Sequence, residues 1–577
     1  MTQSLSPRAQ QAFVGLFFAV GFFGYLMNTS GWFTMIPGDL GDARFNSVIL
    51  EHLYQWVTGS AAKLWSPRFF FPFEYTLAFS DNHFGSGWSY VILRVFGLPR
   101  EEAYLGWFLF GASLNFWVCW AVLKRLGFST VGAAAGAFVF AFALPALHKE
   151  NHAQLVYRFA VPLAAAAWYR AMNQRNVAYA VQTVFWCAVQ FLCSIYVGVF
   201  LLYLLLALLL AQVIFSLRGA VNKPSPPTVA DAVSHTRLPN SFDARGTASS
   251  AWWSSALSWV RSVSGLTWCG LMVVAVVLAG FTLKRYQHVA LDYNFVRPLS
   301  ELISMLPRPG SYLLADHSTL VAWLGRMVTN VPMRHEQQMF VGFGVAAIAL
   351  LGLFWSWRTL EPSLTALVRR MMLALLLLVA LTVMVHDLSL YLLVAKLPGV
   401  SSIRAVSRVA LIMLFPLAVA VAAGFDGILR SSVAKWLKTL SVLLLVGVLT
   451  LESICYNPHH TPMQSWRARR DALQAKIGTL PKNSVLFVTQ PSAEPFFMTE
   501  IDAMIYAQDH HLATLNGYSG NTPPRYTYPD PCLPPEMRVD SYFALRGLVA
   551  DRRQQILNTL HTVILEPCSK PSEPKPK

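Results

Sequence analysis

The chain has 577 residues, of which 55% are hydrophobic and only 13% charged, and its mean hydropathy is +0.45. Soluble globular domains carry roughly 25% charged residues, so composition excludes an ordinary soluble enzyme and leaves a polytopic membrane protein. The formal charge of +16 is not read as a nucleic-acid footprint. The basic residues collect in short turns between apolar runs, the pattern that orients membrane helices, and no basic patch with interleaved aromatics accompanies them.

Apolar runs near the ~20 residues needed to cross a bilayer predict spans at about 11–30, 103–123, 129–147, 153–172, 177–194, 195–217, 265–283, 339–357, 367–386, 407–427 and 436–454, about eleven in all. The first run lacks a small-residue cleavage site and continues into Trp32-Phe33, so it reads as a retained span rather than a signal peptide. A run at about 84–98 is too short to cross and is expected to be re-entrant or interfacial.

Lys124-Arg125, Arg170 with Arg175, Arg358 with Arg369-Arg370, and Arg430 with Lys435 and Lys438 all fall on one side of the alternating spans, together with the N-terminus. That side is expected to be the cytoplasm, with Lys284-Arg285 a local exception outside. Of the 29 acidic residues, only Asp231, Asp243, Glu361 and Asp426 fall on or near the cytoplasmic side, so chemistry is expected outside.

The predicted architecture is therefore an α-helical polytopic membrane domain over 1–454, followed by a small extracytoplasmic α/β domain over 455–569. Within the first lie outer loops at 31–102, 284–338 and about 387–406, and a Ser/Pro-rich, mobile cytoplasmic loop at 218–264. In the first outer loop, Phe45, Val48, Ile49, Leu53 and Trp56 recur at helical spacing, with Asp42 at the N-cap position. In the C-terminal region, 464–477 reads as helix and 484–489 and 562–566 as strands. The Pro/Lys-rich segment 570–577 is expected to be disordered. Cys119, Cys187, Cys193 and Cys269 lie in apolar runs as packing residues, while Cys532 and Cys568 are open to a disulfide if that region is exported. No cysteine spacing suggests zinc, and no P-loop, Rossmann fingerprint, HExxH or GxSxG is present.

Carboxylates beside a bilayer are costly unless paired, hydrated or used. Asp39 and Asp42 stand three apart on a Gly-punctuated turn, where they suit a general base and a metal ligand; the plainer reading is a capped turn with Arg44 as counter-ion. Asp81 and His83, in Ser80-Asp81-Asn82-His83, add a carboxylate and an imidazole on the same side, or simply form a turn. His148 and His152 flank Glu150 in a tight outer turn; they can share a metal only if that turn is helical, and a solvated turn is the alternative. Asp316-His317 and His386-Asp387 read in the same way. Arg404 and Arg408 sit at the outer mouth of a span, placed either to fork onto a phosphate or to snorkel to the interface.

Taken together these residues resemble bacterial members of the GT-C superfamily of integral-membrane glycosyltransferases. The likeness runs through Gly38-Asp39, Gly41-Asp42, Asn46 and Leu50-Glu51, then Phe70-Phe71-Pro72 and Leu77-Ala78-Phe79-Ser80-Asp81. It continues in Asn151-His152, Gln154-Leu155 and Pro162-Leu163, in Leu397-Pro398-Gly399 with Arg404 and Ser407-Arg408, and in Leu515-Asn516-Gly517-Tyr518-Ser519-Gly520 with Pro523-Pro524 and Tyr526. The resemblance implies a catalytic aspartate in the first outer loop, matched by Asp42 or Asp39. It implies a polyprenyl-phosphate sugar as donor, with its phosphate facing Arg404 and Arg408, and a glycan, lipid or protein acceptor. It also implies a bacterial inner-membrane enzyme with its site outside, and a divalent metal (Mg or Mn) as the cofactor to look for, with Asp81, His83, Glu150 and His152 as accessory residues. Two other readings remain open from sequence: a transporter or flippase of lipid-linked saccharides, which calls for repeats and mid-membrane polar groups, and a non-catalytic envelope-assembly scaffold.

Alkaline phosphatase fused after residue 460 is expected to be active in cells. An inactive phosphatase, with a fluorescent cytoplasmic reporter at the same junction, would reverse the predicted orientation.

Overall fold

A computed structural model describes residues 6–221, 257–397, 403–490, 494–526, 534–547 and 550–566. The Cys532–Cys568 pairing, most of the 218–264 loop, Pro398-Gly399 and the 570–577 tail lie outside the described residues.

Among those residues, eight helices are long and apolar enough to cross a membrane: Pro7–Ser30, Arg100–Leu126, Thr130–Leu147, Ile195–Arg218, Val263–Asp292, Pro362–Thr382, Val406–Arg430 and Lys435–Ile454. Val177–Cys193 and Phe343–Thr359 are shorter apolar helices. The remaining apolar run is a 15-residue helix, Ala160–Gln174. It starts later than the 153–172 run because 153–155 forms a separate single turn. At ~1.5 Å per residue it reaches only about 22 Å, short of a ~30 Å hydrocarbon core.

The helix Ala410–Arg430 is the axis of the bundle, buried from Ala410 to Ile428. Without a hydrophobic drive between helices in lipid, close packing depends on small residues. A Cβ added at Gly352 would lie 1.9 Å from the Ala420 carbonyl oxygen, and one at Gly136 2.5 Å from that of Ala418. The basic turns gather at one end of the bundle. There Arg170 donates to the Arg125 carbonyl, Arg370 donates to the Tyr169 hydroxyl at 3.2 Å, and the Ser129 amide donates to Asp426 at 2.9 Å.

The opposite end carries the elements that build the site. Strand β1 (Met35–Pro37) pairs antiparallel with β2 (His460–Pro462), Ile36 opposite Thr461. A helix spans Asp42–Val57. The short run predicted at 84–98 contains the nine-residue helix Gly87–Val95, ~13 Å long. Tyr90 is buried beneath it while Trp88, Ile92, Val95 and Phe96 are exposed, the two-faced pattern of a helix lying at a membrane surface.

Further along, β3 (Val485–Thr489), β4 (Ala513–Thr514) and β5 (Leu560–Ile564) form a parallel sheet in the order β4-β3-β5. All of β3 is buried, as parallel strands covered on both faces require. The last strand sits two residues earlier than its apolar pattern suggested. Helices Met463–Ile477, Phe497–Asp509, Glu536–Arg546 and Ala550–Asn558 accompany the sheet.

Buried ion pairs lock the elements at this end together. Arg44 pairs with Asp502, their side chains 1% and 8% exposed. Asp502 also receives Arg469 at 2.7 Å, so it would keep a cation if Arg44 were lost, whereas Arg44 has no second carboxylate among the described pairs. Asp502→Asn is therefore expected to destabilise more than Arg44→Met. Its cost should approach the ~3–5 kcal/mol of orphaning a buried charge, seen as a lower melting temperature of the protein in detergent. Equal melting of the two variants would contradict this.

Candidate functional site

The Gly-punctuated turn positions the first aspartates. Gly38 takes φ +92° and donates its amide to the His459 carbonyl at 2.8 Å, joining the turn to β2. Asp39 Oδ1 accepts the Gly41 amide at 2.9 Å, closing the turn on itself. The N-cap is then Gly41, with no side-chain cap, and Asp42 is the first helical residue. The expectation that Asp42 caps the helix is thus corrected: the tight Asp39 turn takes the cap position one residue early. Asp42 Oδ1 accepts instead from the Tyr518 hydroxyl at 2.7 Å.

A cavity of about 350 Å³ opens there, lined by Asp42, Asp81, His152, Arg404, Arg408 and Tyr518 among others. Five of the eight candidates read from sequence meet in it. Asp39 is not in the lining; its carboxyl is raised by burial and by the charge of Asp42.

Asp81 is held at the start of the helix Ile195–Val221, where its Oδ1 accepts the Ile195 amide at 3.1 Å and its Oδ2 the Ser194 hydroxyl at 3.3 Å. Burial pushes its carboxyl up to about 6, although that amide, Arg408 and Ser194 all pull the other way.

Arg404 pairs with Glu301 at 2.9 Å, and Arg297, also in the lining, shares that glutamate at 3.6 Å. Arg408 pairs with Glu336 at 2.6 Å, its side chain 4% exposed, and stacks 4.8 Å from the Tyr196 ring centre. It is buried, so the interfacial snorkelling reading does not hold for it. Glu336 also receives Lys149 at 2.7 Å and His152 at 2.9 Å. Burial opposes its charge, but Arg408, His152 and Lys149 together hold its carboxyl well below the ordinary range.

The rest of the accessory set is placed differently. His83 sits behind the cavity: its Nε2 is 2.8 Å from Asn46 Oδ1, while Asn46 Nδ2 donates to the Asp42 carbonyl at 2.7 Å. With its nitrogen so used, Asn46 must accept from His83, and burial holds that imidazole neutral, down at about 3. His83 therefore props the lining and is no ligand to it. Glu150 turns away to accept the Tyr456 hydroxyl at 3.1 Å and the His459 amide. His148 and His152 are not on one helical face: His148 lies against Tyr456 and His152 against Glu336. Among the described residues, no group of three or more His, Cys, Asp or Glu side chains is arranged to hold a metal; the carboxylates in the cavity lining are Asp42 and Asp81.

Sequence reasoning gave no role to Tyr518, Arg297 or Tyr196. The Leu515–Gly520 motif was visible, but nothing local ties Tyr518 to an aspartate 476 residues away.

No family model matches the chain, and no curated protein sequence does. Among solved structures it is similar to the arabinofuranosyltransferase AftD from Mycobacteria, at 14% identity and TM-score 0.43, over 84% of this chain and 30% of that one. It is also similar to the Archaeoglobus fulgidus oligosaccharyltransferase in its apo form, at 11% identity and TM-score 0.45, over 89% of this chain and 65% of that one. The chain thus spans about a third of the one and just under two thirds of the other. Both likenesses lie below a TM-score of 0.5.

The raised Asp81 carboxyl has a pH signature. The fold favours its protonated form, so its contribution is fully present below the ordinary aspartate value near 3.8 and is lost as pH rises through about 6. Asp81→Asn is expected to melt progressively higher than the parent as pH climbs across that window, by up to roughly 3 kcal/mol in stability. A pH-independent difference in melting between the two would contradict it.

Proposed function

We propose that this chain is a membrane glycosyltransferase that moves a sugar from a polyprenyl-phosphate donor to a glycan, lipid or protein acceptor on the outer face of a bacterial inner membrane. In this reading the N-terminus is cytoplasmic and the 455–569 region forms an extracytoplasmic domain. The observation that carries the reading is the meeting of Asp42 with Arg404, Arg408 and Arg297 in one outer-face cavity.

In this scheme Asp42 takes the proton of the acceptor hydroxyl as its oxygen bonds to the anomeric carbon. The bond from that carbon to the phosphate oxygen breaks, and polyprenyl phosphate leaves as the anion. Tyr518 holds the Asp42 carboxylate in place through its 2.7 Å hydrogen bond.

The arginines stabilise the leaving charge. Arg297 and Arg404 share the single carboxylate of Glu301, and Arg408 and Lys149 share that of Glu336. In each group two cations share one carboxylate, and Arg297, Arg404 and Arg408 line the cavity where the phosphate would sit. No step is routed through a metal.

Purified protein given a polyprenyl-phosphate sugar and an acceptor, with no nucleotide sugar, is expected to form product. Asp42→Asn should express and melt normally yet lose ~100- to 10,000-fold in rate. Asp39→Asn should stay active, because Asn can close the same turn. Parental rates from Asp42→Asn would remove it as base, and lipid-linked sugar crossing liposomes without product would replace transferase by transporter.

A further inference from the structure

A second cavity, of about 610 Å³, lies between the first outer loop and the β3–β5 sheet and shares no lining residue with the first. The helix Asp42–Val57 serves both: Asp42 and Asn46 face the first, and Val48, His52 and Gln55 the second. At ~1.5 Å per residue, Asp42 and Gln55 are about 20 Å apart along it.

The walls are built in advance of any ligand. Loop 68–71 is laced onto β4 and the residues that follow it, with the Thr514 amide donating to the Arg68 carbonyl at 3.0 Å, that of Phe71 to the Thr514 carbonyl at 2.9 Å and that of Phe70 to the Asn516 carbonyl at 3.0 Å. His52 Nε2 meets the Leu64 carbonyl at 2.9 Å and fixes the near end.

Four cations line this cavity, Lys63, Arg68, Lys482 and Arg552, against one carboxylate, Glu74. Glu74 is engaged by Lys63 at 3.1 Å. Among the described ion pairs, Arg68, Lys482 and Arg552 have no carboxylate, and each comes from a different segment. Charge spread in this way suits a chain of spaced anions, where one phosphate would call for focused donors. The lining also carries the amides of Asn483 and Gln555 and the half-buried ring of Phe71, groups that match sugar hydroxyls and the apolar face of a sugar ring. The volume falls in the ~300–1,000 Å³ range of ligand clefts.

We propose that this cavity binds an anionic saccharide, a glycan segment carrying carboxylates on successive sugars. Its binding is separable from the transfer reaction and needs no donor.

The probe is a short oligogalacturonate, titrated calorimetrically into the full-length protein in neutral detergent, beside a neutral galactan of the same length. The acidic oligomer is expected to bind, more weakly as salt rises, and the neutral one far less. The double variant Arg68→Glu/Arg552→Glu, at two exposed positions, should weaken binding at least ~10-fold, while Arg404→Gln leaves it unchanged. Equal binding of both oligomers, no effect of the double variant, or equally tight binding of polyglutamate or anionic phospholipid vesicles would overturn the proposal. Since binding is read without turnover, its failure leaves the test of Asp42 intact.

Discussion

The half of this protein that carries the cavity depends on the buried contact between Arg44 and Asp502. It fixes the helix that begins at Asp42 against the helix Phe497–Asp509, elements more than 450 residues apart in sequence. Two residues before Asp502 on that second helix, Glu500 accepts the Gly517 amide at 2.8 Å and the Asn516 side-chain amide at 3.0 Å, and is itself held by Arg538 at 2.7 Å. One helix thus sets the position of Asp42 through one carboxylate and that of Tyr518 through another. Orphaning a buried charge is expensive, so the register of these elements tolerates little slip.

The cavity's electrostatics follow from the same economy. Each carboxylate behind the arginines serves more than one cation, which keeps the arginines ordered while leaving net positive charge. Glu336 does this for Arg408 and Lys149, and Glu301 for Arg404 and Arg297. A phosphate entering here would meet guanidinium groups already oriented, so little rotamer freedom is lost on contact. Asp81, its carboxyl raised by burial, is a lining acid whose charge the surroundings resist.

The bundle and the gathering of Asp42, Asp81, His152, Arg404 and Arg408 were legible because charge near a bilayer is rare and costly, so each charged residue at an outer span end was informative alone. The helix at Asp42–Val57 was legible from its apolar spacing. What was not legible was direction. His83 and Glu150 have the right chemistry and nearly the right place, yet Asn46 and Tyr456 claim them, and those partners come from other elements. Asp39 and Asp42 look equivalent in sequence, and only the closed turn at Gly41 separates them. Tyr518 and Arg297 were missed for the same reason: their roles exist only through contacts with distant segments.

The antiparallel ribbon of β1 and β2 carries a temporal consequence. Met35 emerges from the ribosome early and its partner Pro462 very late, and Tyr518 later still. At ~5–20 residues per second, the 476 residues between Asp42 and Tyr518 take roughly 25 to 95 s to synthesise. Throughout that interval the first loop has its strand edge unpaired and Arg44 is without Asp502. The cavity is therefore completed only after the last described helix of membrane-spanning length, Lys435–Ile454, has been synthesised.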